Sequence, residues 1–162
     1  MTDAINKTNP VLVAIDFSDD SRAALIWAAK YAGQIGVPLI LLHVVHESAS
    51  YPGFYHQRHK GELLPMQQVA EEMMGEFLAS IKNANPDMPA VQTARIEFIS
   101  GLPPSRIIEM AGMLDAGIIV IGNRGLTGLP HLLLGSVAER VVELSTIPVV
   151  VVKADTRRKR SD

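Results

Sequence analysis

Five strand-like runs alternate with stretches whose apolar residues recur at helical spacing, and this alternation limits the possible folds more than any other feature of the chain. The first run is Val11-Leu12-Val13-Ala14-Ile15, closed by Asp16. A helix is predicted from about Asp19 to Ile35: Ser18, Asp19 and Asp20 offer caps, Ala23, Ala24, Trp27, Ala28 and Tyr31 recur at helical spacing, and Gly33 or Gly36 ends it. Pro38 to Val45 is the second strand, and its near-continuous apolar character argues burial on both faces and hence a parallel sheet. A helix from about Leu64 to Asn83 carries Met66, Val69, Met73, Phe77 and Ile81 on one side. Thr93 to Ile99 is the third strand, and Pro103 or Pro104 opens a helix running to about Leu114. The strand Ile118–Ile121, a helix near Ser136–Leu144 and the strand Val149–Val152, led in by Pro148, complete the series.

Five strands alternating with four helices define an α/β fold, a single doubly wound parallel sheet with helices on both faces. A chain of 162 residues with no internal repeat or linker is one domain. Residues 10–154 are read as that domain, 1–9 as a flexible N-terminus and 155–162 as a basic, disordered tail. Right-handed crossovers place the first strand centrally. The pattern by itself fits both the order 3-2-1-4-5 and a flavodoxin-like 2-1-3-4-5 order.

No apolar run reaches the roughly 18 residues of a membrane span, and Met1 to Pro10 lacks the apolar core of a signal peptide. A cytosolic location and no membrane insertion are therefore expected. The absence of cysteine excludes disulfides, thiolate metal sites and cysteine nucleophiles. Net charge is −2, with Arg157, Arg158, Lys159 and Arg160 adjacent in the tail and the rest of the chain correspondingly acidic. Such a body offers no large basic face, so nucleic acid is not an expected partner.

Between the fourth strand and the last helix stand Gly122-Asn123-Arg124-Gly125 and, nine residues on, Gly135-Ser136. Glycines allow positive φ and close approach of backbone N–H groups to an anion, and a helix N-terminus adds partial positive charge. Ser136 can add a hydroxyl donor. The pattern is neither G-x4-GK[ST] nor G-x-G-x-x-G. A plainer account has Gly122 and Gly125 ending a strand and Ser136-x-x-Glu139 forming a capping box. Asp16, at the end of the first strand, suits either a ribose diol or a helix cap. Under the 3-2-1-4-5 order Asp16 and Gly122 end the two strands flanking the reversal of topology, where ligands bind in such sheets.

The spacing G-x2-G-x9-G-S resembles the nucleotide-binding motif of the universal stress protein family. The resemblance runs from Val11 to Lys153, including Ala14-Ile15-Asp16-Phe17-Ser18, Leu41-Leu42-His43-Val44 and the closing half from Gly122 to Lys153. It implies the order 3-2-1-4-5 and membership of the ATP-binding branch. The roles it implies are ribose contact for Asp16, adenine contact for the backbone of Val44, and phosphate binding for Gly122, Gly125, Gly135, Ser136 and the adjoining Val137. Arg124 either reaches a β- or γ-phosphate or is a solvated loop arginine. ATP, with magnesium, is the expected ligand. The implied protein is a nucleotide-dependent regulator of an unidentified partner protein, with at most slow ATP hydrolysis. It is also implied to be a homodimer through the fifth strand, with a dimer of dimers open.

The alternative is a phosphohydrolase or nucleotidyl-transfer enzyme of the adenine-nucleotide α-hydrolase-like group. No S-G-G-x-D-S loop, H-x-G-H signature or Ser/His/Asp set supports it, and no catalytic residue is assigned. The segment from Glu47 to Glu62 starts beyond the second strand and is placed to act as a lid. His46, His56 and His59 lack a carboxylate at diagnostic spacing, so no metal site is expected. Met66, Met73 and Met74 are read as helix packing.

Overall fold

The computed structural model describes residues 9–47, 53–55, 65–126 and 133–155. Its strands are β1 (Val11–Ala14), β2 (Leu39–Val45), β3 (Arg95–Ser100), β4 (Ile118–Gly122) and β5 (Val149–Val152). The helices are α1 (Asp19–Ile35), α2 (Met66–Ala84), α3 (Pro89–Gln92), α4 (Pro103–Met113) and α5 (Ser136–Leu144). All pairings are parallel, in the order β3-β2-β1-β4-β5, so the 3-2-1-4-5 alternative holds. Val13 lies opposite Leu41 on one side and Val120 on the other, which fixes β1 as the central strand.

Successive side chains of the central strands go to opposite faces, as strand geometry requires. Val11, Val13, Leu39 and Leu41 pack with Ala24, Leu25 and Ala28 of α1 and with Phe77 and Ile81 of α2. Leu12, Ala14, Ile40 and Leu42 pack with Ile107 and Ala111 of α4 and with Ala138 and Val141 of α5. Every residue of β1 and β2 is buried, which accounts for their lack of polar alternation. Burial of each leucine in these strands contributes about 1.5–3 kcal/mol.

The ends of α1 follow from its sequence. Ser18 is the N-cap, its hydroxyl accepting the Ser21 N–H at 3.1 Å, and Gly36 closes the helix at φ 72°, donating to Ala32 O. The third strand begins two residues later than expected because Pro89 starts the short helix α3 after Met88, with Thr93 N–H donating to Pro89 O. Among the described residues five helices therefore stand where four were expected. Pro103 and Pro104 occupy the first turn of α4 as anticipated. Among the described residues no helix is long and apolar enough to cross a membrane. Residues 1–8, the tail cations 157–160, His56 and His59 lie outside the described residues, as does most of the 47–62 segment.

Candidate functional site

A cavity of about 510 Å³ opens at the carboxyl ends of β1, β2 and β4, where the strand order reverses. Asp16, Val44, Gly122, Arg124, Gly125, Gly135, Ser136 and Val137 all line it. Residues separated by more than a hundred positions thus meet in one space. Pro103 and Ile107 of α4 and Phe54 and Tyr55 of the described turn add an apolar wall.

The backbone around Asp16 is held tightly. Phe17 adopts φ 67°, an uncommon conformation for a bulky residue, and its ring packs against His43 at 4.6 Å and edge-on to Phe77 at 5.6 Å. One carboxylate oxygen of Asp16 accepts from both the N–H and the hydroxyl of Ser18. The Ser18 hydroxyl also lies 3.3 Å from the Arg124 carbonyl, tying the end of β1 to the loop after β4.

The glycines serve close packing rather than positive φ. None of Gly122, Gly125 and Gly135 has a left-handed backbone, and Gly135 sits at φ −67°. A Cβ at Gly135 would lie 2.3 Å from the Asn123 carbonyl oxygen, and one at Gly122 2.7 Å from the Asp20 carbonyl carbon. At Gly125 it would lie 2.9 Å from the Asp16 Oδ2 atom. Several loop N–H groups are also committed within the protein: Asn123 donates to Val152 O at 2.9 Å, Arg124 to the Asp20 carboxylate at 2.9 Å, and Gly135 to Asn123 O at 2.8 Å.

The capping box of the plainer account does not form, because Gly135 rather than Ser136 is the N-cap and the helix start has no side-chain cap. Ser136 is instead the first helical residue, and its hydroxyl is not drawn into capping. The opening N–H groups of a helix have no acceptor within it, so the start of α5 presents donors and partial positive charge beside the cavity.

His43 is a polar residue inside the apolar run of β2 and only 3% exposed. Its Nδ1 lies 2.7 Å from the Ile15 carbonyl and its Nε2 2.9 Å from the Tyr55 hydroxyl. Since a carbonyl only accepts, Nδ1 carries the proton, Nε2 accepts from Tyr55 O–H, and the tyrosine oxygen in turn accepts the His46 N–H at 3.3 Å. Burial pushes the His43 pKa below its ordinary value, against the raising effects of the Ile15 hydrogen bond and the Asp16 charge. The Tyr55 pKa is raised, chiefly by burial. A histidine in a fully apolar strand was the one sign in the sequence that a buried partner existed.

Asp20 and Asn123 also belong to this region. Asn123 is 2% exposed and its Oδ1 has no hydrogen-bond partner among the described residues, while Asp20 receives N–H groups from two distant segments. Sequence reasoning treated Asp20 only as a cap, since nothing local reveals partners so far along the chain. Among the described residues, no three His, Asp or Glu side chains cluster as a metal site.

Sheet order, cavity position and glycine spacing together define a doubly wound α/β protein with a crevice at the reversal of strand order. The chain belongs to the universal stress protein family, whose sequence model matches residues 7–153. It is 34% identical over 152 residues to Universal stress protein YxiE of Bacillus subtilis (strain 168), covering 90% of this chain and 99% of that one. Among solved structures, universal stress protein UspA from Lactobacillus plantarum shares the fold, with a TM-score of 0.65 at 20% identity over 89% of this chain and 97% of its own. The universal stress protein from Archaeoglobus fulgidus in complex with dAMP is 27% identical, with a TM-score of 0.57 over 90% of this chain and 98% of its own.

Proposed function

We propose that this protein binds ATP in the cavity at the switch point and acts as a nucleotide-dependent regulator, with at most slow hydrolysis. The observation that carries the reading is the convergence on one cavity of Asp16, Val44 and the glycine-bounded helix start at Ser136. A relative bound to dAMP supports an adenine nucleotide as the ligand class. In this reading the Asp16 carboxylate accepts from the ribose hydroxyls, and the Val44 backbone meets the adenine. The Ser136 hydroxyl and the N–H groups of Ser136 and Val137 take phosphate oxygens, with Gly122, Gly125 and Gly135 keeping the walls close and Arg124 at the phosphate end. Magnesium would enter with the phosphates and be held by them, since Asp16, the one carboxylate among the described lining residues, is taken by the ribose.

Of the two histidines among the described lining residues, His43 is not available as a base. Both nitrogens of His43 are engaged, one with Ile15 and one with Tyr55, so its imidazole has no free site for a general base. We further propose a cytoplasmic homodimer built on β5, able to pair into a dimer of dimers, whose state or partner affinity the nucleotide sets. Titration with a fluorescent ATP analogue, with multi-turnover phosphate release measured alongside, tests the reading. Saturable binding at one site per chain with little release is expected, whereas absence of binding or fast turnover overturns it.

A further inference from the structure

Asp20 lies in the first turn of α1, yet neither of its carboxylate oxygens serves that helix start. Ser18 already caps α1. The Asp20 oxygens instead accept N–H groups 104 and 134 residues away: Oδ2 from Arg124 at 2.9 Å, and Oδ1 from Ala154 at 2.9 Å. Arg124 lines the cavity, and Ala154 stands just past the end of β5. The absence of a side chain at Gly122 lets the Asp20 backbone and Cβ sit directly against β4. A second tie runs parallel to the first, from Asn123 N–H to Val152 O at 2.9 Å.

We propose that Asp20 is a positioning residue that holds the cavity loop in register with the end of β5 and transmits occupancy of the cavity to Ala154. The inference rests on the ATP reading above. A carboxylate suits the task because it offers two acceptors and no donor, so it can hold two N–H groups at once. An amide in its place has one acceptor and one donor, and one of the two N–H groups would then face another N–H. When phosphate draws on Arg124, the peptide N–H bonded to Asp20 shifts with it, and the other oxygen of the same carboxylate holds Ala154. Linkage makes the effect reciprocal, so whatever fixes the end of β5 also alters affinity in the cavity.

The test is a titration of the full-length ¹⁵N-labelled chain with magnesium-ATP, following the Arg124 and Ala154 amide resonances, with calorimetry on the same samples. In the wild-type protein both resonances move with one midpoint, although Ala154 does not line the cavity. In Asp20→Asn, checked by thermal melting to be folded, ATP affinity falls about tenfold, equivalent to about 1.4 kcal/mol. Arg124 still responds in that variant while Ala154 does not. ATP binding with a stationary Ala154 in the wild type, or an unchanged Ala154 response in Asp20→Asn, overturns this inference alone. Failure of the wild type to bind ATP overturns the function reading and this inference with it. Should Asp20→Asn not fold, Asp20→Glu, which keeps both acceptor oxygens but on a longer arm, takes its place, and an unchanged Ala154 response there likewise overturns the inference.

Discussion

Replacement of Gly135 by alanine isolates what the glycine does. The new Cβ would stand 2.3 Å from the Asn123 carbonyl oxygen, about 1 Å inside normal contact, and 3.4 Å from the Arg124 Cα. The obstruction is backbone, so no side-chain rotation relieves it. The loop must move, and with it goes the bond from Gly135 N–H to Asn123 O. Overpacking of this kind costs about 1–3 kcal/mol, and the lost hydrogen bond about 0.5–1.5 kcal/mol. A total of about 1.5–4.5 kcal/mol is less than the stability of an ordinary domain, so the variant folds, with Tm lower by about 3–18 °C. Gly135→Val should be worse on both counts, and ATP binding is expected to be lost in each. Gly75→Ala and Gly112→Ala are the controls, because a Cβ there meets nothing within 4 Å and both lie within helices. They should gain about 0.5–1 kcal/mol. Thermal denaturation by circular dichroism, with ATP-analogue titration of each variant, reads all four. A Gly135→Ala protein with wild-type Tm and wild-type affinity would refute the reasoning.

Asp16→Ala should weaken ATP and ADP alike and leave tripolyphosphate binding unchanged in competition titrations; equal loss for tripolyphosphate would assign Asp16 to the loop or to a metal ion instead of the ribose. The carbonyls of Pro148 and Val152 face β4, so by alternation Val151 presents its N–H to the free edge of β5, and Val151→Pro should convert a dimer to monomer in size exclusion with light scattering. A wild-type monomer at micromolar concentration would eliminate that interface. Burial lowers the His43 pKa below the value of about 6.5 of an unfolded chain, so on acidification the unfolded state takes up a proton that the native state refuses. Stability should therefore fall as pH drops below about 6.5, by at most about 1.4 kcal/mol per pH unit from this group. Urea midpoints across that range should show a flatter dependence in His43→Gln, and identical slopes would place the acid lability elsewhere.

The parts of the fold that were legible in the sequence are those specified by short-range chemistry. The caps of α1 are written in Ser18 and Gly36, and the double-sided burial of β2 in its run from Leu39 to Val45. The helical turn at Pro89 is not visible in the sequence because four residues are too few to show a period, and Thr93 and Ala94 after it pass for strand. At α5 two signals competed: Ser136-x-x-Glu139 looks like a capping box, but Gly135 takes the cap because its approach to Asn123 fixes where the helix begins. The glycine spacing and Asp16 pointed to residues that line one cavity, which strand order brings together. Asp20 and Tyr55 could not be read in this way. Their roles depend on partners at Arg124, Ala154 and His43 that only the tertiary structure supplies.

The central position of β1 has a consequence for how the protein is made. β1 pairs with β2, which follows soon after it, but its other neighbour is β4, beginning at Ile118. A ribosome that has released only the first three strands has delivered half a sheet, with β1 as a raw edge and one wall of the crevice missing. A domain folds as a unit, and long-range parallel pairing is intrinsically slow. The crevice is therefore completed late in synthesis, when β4 closes on β1 and α5 arrives to supply the far wall. A nascent chain cannot assemble the full crevice before that point, and the exposed β1 edge is the surface that needs protection in the meantime.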